Sequence, residues 1–404
     1  MKKTMKKNAV FLILCILFVA SFCFLHSSAA VAEEPSVDAS VDAENFGKLN
    51  NLMFWEPREK LAGFRNIEKL YNTREIERSD QVYALCADPI DLSGLSYKLN
   101  EKTYTFDDFM TRNRVTGIIL VKDDRILAER YELGNNVSSR WISFSVAKSV
   151  VSMLTGAAIK DGYISSVDDK ITDYLPRLKG SAYEDVSIKN ILQMASGVEW
   201  NEDYADPKSD VNNMPSDIIG LLEMLGQKKR VAEPGSKFNY NTAETHLVGA
   251  VVRGAIGNNL STYLTHKIWQ PMGMESDASW LLHGPAGGEM GGCCINAILR
   301  DYARIGIFAM HNGVLPDGTE VLPKDWMKGS TTPSSSYAGY GYLWWLSPRS
   351  FSAIGIFGQS IFIYPEQNLV IAMHSAWNQA GSGEYRAHRQ AFLYAAVDLV
   401  ENNK

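Results

Sequence analysis

The placement of the β-rich segments restricts this chain more than any other feature. VTGIILVKDDRILAERYELG, Val115 to Gly134, is two runs of aliphatic and β-branched residues around Asp123-Asp124, the pattern of a hairpin. Near the other end YGYLWWLS, IGIFGQSIFIYP and NLVIAMHSAW read as consecutive strands, with PEQN (Pro365 to Asn368) turning between two of them. Strands satisfy their backbone groups by pairing, and an isolated hairpin is marginal in water. The pattern therefore predicts one antiparallel sheet assembled from both chain ends. Helical patterns alternate with loops from Tyr163 to about Gly257, and a last helix is expected from about Gly383 to Glu401. The expected class is α+β, an antiparallel sheet flanked by helices with a mainly helical insertion at roughly 163–257.

The chain opens with MKKTMKKNAVFLILCILFVASFCFLHSSAAVAEE, four lysines before an apolar run from Ala9 to Leu25 and the small-residue pattern Ala30-Val31-Ala32. This reads as an export signal over residues 1–32, cleaved near Ala32, with a periplasmic or secreted destination. A lipid anchor on Cys23 would want a small residue before it, and Phe22 is bulky. No later stretch approaches the roughly 18 unbroken apolar residues of a membrane helix, so no stable span is expected in the mature form. Cys86, Cys293 and Cys294 then remain, an odd count that leaves at least one unpaired, and no pairing follows from their positions. The net charge of -6, with both signs interspersed, offers nothing to nucleic acid or anionic lipid.

Residues 33–105 read as a lead and a wrapping segment. The repeat SVDASVDAEN, Ser36 to Asn45, has little to bury and is expected to be flexible, whereas Phe54, Trp55 and Phe64 among charges suggest a stretch laid over the main body. Residues 106–404 form the main domain. The oligomeric state is not legible.

The stretch SFSVAK precedes a wholly apolar helical run, with Val146, Val150, Met153, Leu154 and Ala157 at helical spacing and Gly162 able to close it. On such a helix Lys148 lies one turn from Ser145. Serine attacks only when a base takes its proton, and burial among apolar groups lowers a lysine's pKa by up to ~3–5 units, enough to provide a neutral amine. The same spacing also occurs in ordinary surface helix turns, so by itself it decides nothing. Gly-x-Ser-x-Gly and His-Glu-x-x-His are absent, and the seven histidines show no ligand-like spacing, so metal chemistry is not expected. His374, on VIAMHSAW, reads as a histidine hydrogen-bonded near a strand end.

Ser145-Val-Ala-Lys148, then PGSKFNYNTAETHLVG with Tyr240-Asn241-Thr242, then GIFGQ (Gly355 to Gln359) on a late strand, together resemble the serine β-lactamase and penicillin-binding superfamily. The likeness is closer to its 6-aminohexanoate-dimer hydrolase and esterase-like branch. It runs from about Phe106 to the C terminus through QMASGVEWNEDY, RDYARIG and YGYLWWL. The resemblance implies a β-lactamase-like fold and an acyl-enzyme on Ser145, with Lys148 and Tyr240 carrying protons. It places the oxyanion hole at the backbone of Ser145, Gly358 and Gln359, and it requires neither cofactor nor metal. Trp200, Tyr204, Thr242, Tyr342, Trp344, Phe357 and His374 lie in stretches that flank the cleft in relatives.

Two departures bear on substrate. Thr242 stands where β-lactamases have the asparagine of Tyr-x-Asn, and Ile356-Phe357-Gly358 replaces Lys-Thr-Gly or His-Thr-Gly. The cation and hydroxyl that would hold a β-lactam carboxylate are thereby lost. The expectation is an exported serine hydrolase of small esters or linear amides. Its alternatives are a β-lactamase or D,D-peptidase, and a penicillin-recognising binding protein or inactive scaffold.

Overall fold

A computed structural model describes residues 39–402. The expected export leader and cleavage site near Ala32 lie outside them. The main sheet has seven strands in the order Trp345–Ser347, Ser350–Ile354, Ser360–Tyr364, Leu369–Ser375, Val115–Lys122, Arg125–Tyr131 and Cys86–Ala87. The two chain ends meet in its middle, where Leu369–Ser375 runs antiparallel to Val115–Lys122 with Ile371 opposite Leu120. The single parallel pairing among these strands is that of Cys86–Ala87 with Arg125 and Ile126.

Both faces of the central strands are covered, which explains their nearly unbroken apolar sequence. Ile119 and Val121 face a core shared with the helix Leu299–Met310, whereas Ile118 and Leu120 face the closing helix Gly383–Asn402. Asp123 and Asp124 both take positive φ, 48° and 61°, as a tight hairpin turn requires. A second sheet of four short strands, Thr73–Ile76, Ala278–Leu281, Ile295–Ala297 and Trp141–Ile142, lies beside the start of the SVAK helix. It fixes the approach to that helix, because Ser143 N–H donates to Ile295 O at 2.8 Å. The helix itself, Val146–Lys160, is buried from Val146 to Ala158 and packs against Thr242–Ile256.

The expectation of a flexible lead at Ser36–Asn45 is corrected from Ala39 onward. Ala39–Asn45 forms a 3₁₀ turn, and Asp42 is buried, accepting from Arg65 Nε at 2.9 Å and from Asn66 Nδ2 at 2.7 Å. Its partners lie 23 and 24 residues away, so local composition could not show them. The helix Pro57–Arg65 that follows sends Leu61 and Phe64 into a third core with Trp55, Phe144, Phe357 and Trp377. Among the described residues, no helix is long and apolar enough to cross a membrane.

Candidate active site

Ser145 is partly exposed while Phe144, Val146, Ala147 and Lys148 around it are buried, so this residue alone of the turn meets solvent. Phe144 holds φ at +45°, unusual for a bulky side chain, and Phe64 and Phe357 pack its ring at centroid distances of 5.0 and 5.1 Å. One turn later, Lys148 Nζ lies 3.1 Å from Ser145 Oγ, 3.2 Å from Thr242 Oγ1 and 2.6 Å from Gly292 O. Burial draws the lysine down from 10.5 to about 8, and the neighbouring Glu202 carboxylate opposes that shift. The hydroxyl of Thr242 thus fills the place beside the lysine that the resemblance gives to an asparagine.

Tyr240 enters from the loop before the helix Thr242–Ile256, which Asn241 caps by accepting from Glu244 N–H at 3.1 Å. Its ring faces the lysine, Nζ to centroid 5.4 Å, and stacks on Trp345 at 5.6 Å and 19°. Burial pushes its phenol well above the ordinary tyrosine range, and a hydrogen bond with Ser145 opposes it. Tyr340 packs against both Tyr240 and Trp345, and Phe238 and the exposed Tyr337 extend the aromatic surface outward.

The GIFGQ segment requires a correction. It forms the turn that joins Ser350–Ile354 to Ser360–Tyr364, with Ile354 opposite Ser360, and is not itself a strand. Gly358 has φ +98°, its N–H donates to Gly355 O at 3.2 Å, and a Cβ there would lie 2.3 Å from the Trp377 indole nitrogen. Gln359 is fully buried and clamps the turn, accepting from Phe357 N–H at 3.2 Å and donating to Ser375 O at 3.0 Å. The Gly358 N–H is thus taken within the turn, and Gln359 lies out of contact with solvent. Ile356 is partly exposed, and among the described residues its N–H, like that of Ser145, has no protein acceptor. Gly355 beside it approaches so closely that a Cβ would stand 2.6 Å from Ser143 O.

The remaining expected cleft residues divide. Thr242, Tyr204 and Trp200 converge on Glu202, Tyr204 at 2.5 Å and the other two through short hydrogen bonds. Phe357, Trp344 and His374 are fully buried, contrary to the expected cleft positions: Phe357 in the third core, Trp344 against Phe351, His374 between Trp141 and Tyr302. Neither ring nitrogen of His374 has a protein partner, contrary to the hydrogen-bonded histidine expected, and burial lowers it to about 3. Tyr342 packs on Trp326 instead of the site. The chain turns between them, with Leu343 at φ +60° and Tyr340 bridged to Trp345, so the aromatics beside Tyr240 are Tyr340 and Trp345. The sequence reading also missed Glu202, which no motif marks, and Gly292, which contributes only a carbonyl. Directly after Gly292, Cys293 and Cys294 are disulfide-bonded to each other, and Cys86 is free and exposed.

Comparison with known proteins identifies the family and the fold. The beta-lactamase family pattern matches residues 105–395. A 6-aminohexanoate-dimer hydrolase of Paenarthrobacter ureafaciens is 26% identical over 92% of this chain and 96% of its own length. Among solved structures, a Bacillus anthracis protein provisionally named a 6-aminohexanoate-dimer hydrolase superposes with TM-score 0.76 at 20% identity, covering 85% of this chain and 95% of that one. A penicillin-binding protein of Bacillus halodurans gives 0.58 at 17%, covering 71% and 99%. With most of its length matched and the sheet, the SVAK helix and the facing tyrosine in place, this chain belongs to the beta-lactamase family and has its α+β fold.

Proposed function

We propose that this protein is an exported serine hydrolase that cleaves small esters or linear amides through an acyl-enzyme on Ser145. The observation that carries the reading is Lys148 Nζ at 3.1 Å from Ser145 Oγ, at a site whose burial favours the neutral amine. In acylation the Ser145 proton passes to Lys148 as Oγ bonds to the substrate carbonyl carbon. The carbonyl π pair moves onto oxygen, facing the N–H groups of Ser145 and Ile356. As the carbonyl re-forms, the bond to the leaving alcohol or amine breaks, and the proton reaches that group by way of Tyr240. Water then repeats the sequence to free the acid and restore Ser145.

Substrate class follows from what surrounds the turn. Ile356 and Phe357 bring no charge for a β-lactam carboxylate, and Lys60, which lies over the Phe357 ring, is buried and donates to Asn378 O at 2.6 Å. A charge-assisted hydrogen bond is worth roughly 1.5–3 kcal/mol, so its absence lowers kcat/KM for β-lactams by about 10–100-fold. Export rests on the lysine-rich leader and Ala30-Val31-Ala32.

The test is turnover of short-chain p-nitrophenyl esters, a linear amide such as 6-aminohexanoate dimer, and nitrocefin on one preparation. Esters should be fastest and nitrocefin slowest, with Ser145→Ala inactive on all three. Efficient nitrocefin hydrolysis with negligible esterase activity would reverse the substrate assignment. Stoichiometric acylation without turnover would mark a binding protein, and no reaction with any acyl donor an inactive scaffold.

A further inference from the structure

Glu202 sits in the loop after Trp200, and its carboxylate is fully engaged. Oε1 accepts from the hydroxyls of Thr242 and Tyr204, and Oε2 accepts from the Trp200 indole N–H and the Thr242 backbone N–H, the last at 3.0 Å. Thr242 has a single hydroxyl proton, and it points to Glu202. Its oxygen can therefore only accept from Lys148, 3.2 Å away. A neutral lysine has two N–H protons and one lone pair. With the protons directed to Gly292 O and to Thr242 Oγ1, the lone pair is left facing Ser145 Oγ. We infer that Glu202 is a positioning residue that sets the direction of the hydrogen-bond chain Ser145–Lys148–Thr242, so that Lys148 presents its lone pair to the nucleophile.

Without that carboxylate, the Thr242 hydroxyl could turn and donate to the lysine, competing with Ser145 for the lone pair. Glu202→Gln forces this choice. Two N–H donors that cannot reorient, Trp200 Nε1 and Thr242 N, hold the amide oxygen on their side. The amide NH₂ then faces the two hydroxyls, and Thr242 must accept where it formerly donated. The ionisable groups around Glu202 are Lys148, Tyr204, Tyr240, Glu244 and Tyr340. Its negative charge raises both Lys148 and Glu244, so removing it moves each toward lower pH.

This inference rests on the acyl-enzyme reading, and the experiment separates the two. Kinetics of p-nitrophenyl acetate hydrolysis are measured across pH for wild type, Ser145→Ala, Glu202→Gln, Thr242→Val and the Glu202→Gln/Thr242→Val double variant, with thermal melts confirming folding. Glu202→Gln should lower kcat by about 10²-fold, the scale of an impaired general base, with KM within about 3-fold and the acid limb displaced to lower pH. In the Thr242→Val background, where no hydroxyl can turn, the same change should cost less than about 3-fold. An undiminished loss in that background, an acid limb that does not move, or Glu202→Gln turnover equal to wild type overturns the inference. If Glu202→Gln fails to fold, Glu202→Asp replaces it: the shortened carboxylate withdraws from the Thr242 hydroxyl and should lower kcat by about 10-fold, but by less than about 3-fold in the Thr242→Val background, and an undiminished loss there overturns the inference. Full turnover in Ser145→Ala would instead remove the acyl-enzyme reading itself.

Discussion

Phe64 packs edge-on against Phe144, ring centroids 5.0 Å apart at 73°. Phe144 is the residue before the nucleophile, and the same Phe64 ring lies 5.3 Å from Phe357, the residue after Ile356. One side chain of the N-terminal segment, outside the region matched by the family pattern, thus braces both ends of the proposed oxyanion hole. Phe64→Leu keeps an apolar filler but loses the ring contacts. It should lower kcat for p-nitrophenyl acetate by about 10-fold with little change in KM, since misplaced oxyanion donors act on the transition state. Steady-state kinetics beside a thermal melt check this, and unchanged kcat in a folded protein would show that the segment only stabilises.

Lys148 links activity and stability in opposite senses. Acylation needs the neutral amine, so kcat/KM should rise with pH and level off above about 8. For folding, the lowered pKa is a penalty: below about 8 both folded and unfolded chains carry the proton and the full cost is present. Between about 8 and 10.5 the unfolded chain holds more protons, so stability climbs with pH until the cost is gone. Lys148→Met should abolish turnover yet stabilise the fold by about 1–3 kcal/mol at neutral pH, an advantage that shrinks toward the lysine's ordinary pKa. Denaturant titrations at about pH 7 and about pH 10 measure it.

Tyr240→Phe removes the hydroxyl and keeps the ring that stacks on Trp345. Amide leaving groups need a proton more than p-nitrophenolate does. The variant should therefore lose about 10²-fold or more on anilides and markedly less on p-nitrophenyl esters. Equal losses on both substrates would take the leaving-group role from Tyr240.

The cysteines make a chemical prediction. Cys293 and Cys294 are bonded to each other and Cys86 is exposed, so the native chain from residue 33 onward should show one reactive thiol, and three after reduction in denaturant. Titration with a chromogenic disulfide reads the count, and three thiols in the native protein would contradict the pairing.

By itself the sequence determined what depends on neighbours in the chain. The hairpin at Val115–Gly134, the late strands, the apolar SVAK helix and the facing of Ser145 and Lys148 one turn apart all follow from periodicity and turn chemistry over a few residues. The joining of the two chain ends into one sheet was also legible, because each set of strands needed the other. Only the tertiary structure decided which backbone N–H groups stay free. Gly358 is occupied by a turn bond to Gly355, and Ile356 is left open by the way Gln359 clamps the loop. It likewise separated Trp345, beside Tyr240, from Trp344, buried on Phe351, although the two are adjacent and chemically identical. No local pattern marks Asp42 or Glu202, and each gained its role from partners more than 20 residues away, Arg65 for one and Thr242 for the other. A carboxylate's work is set by the donors that converge on it, and that convergence exists only once the chain has folded.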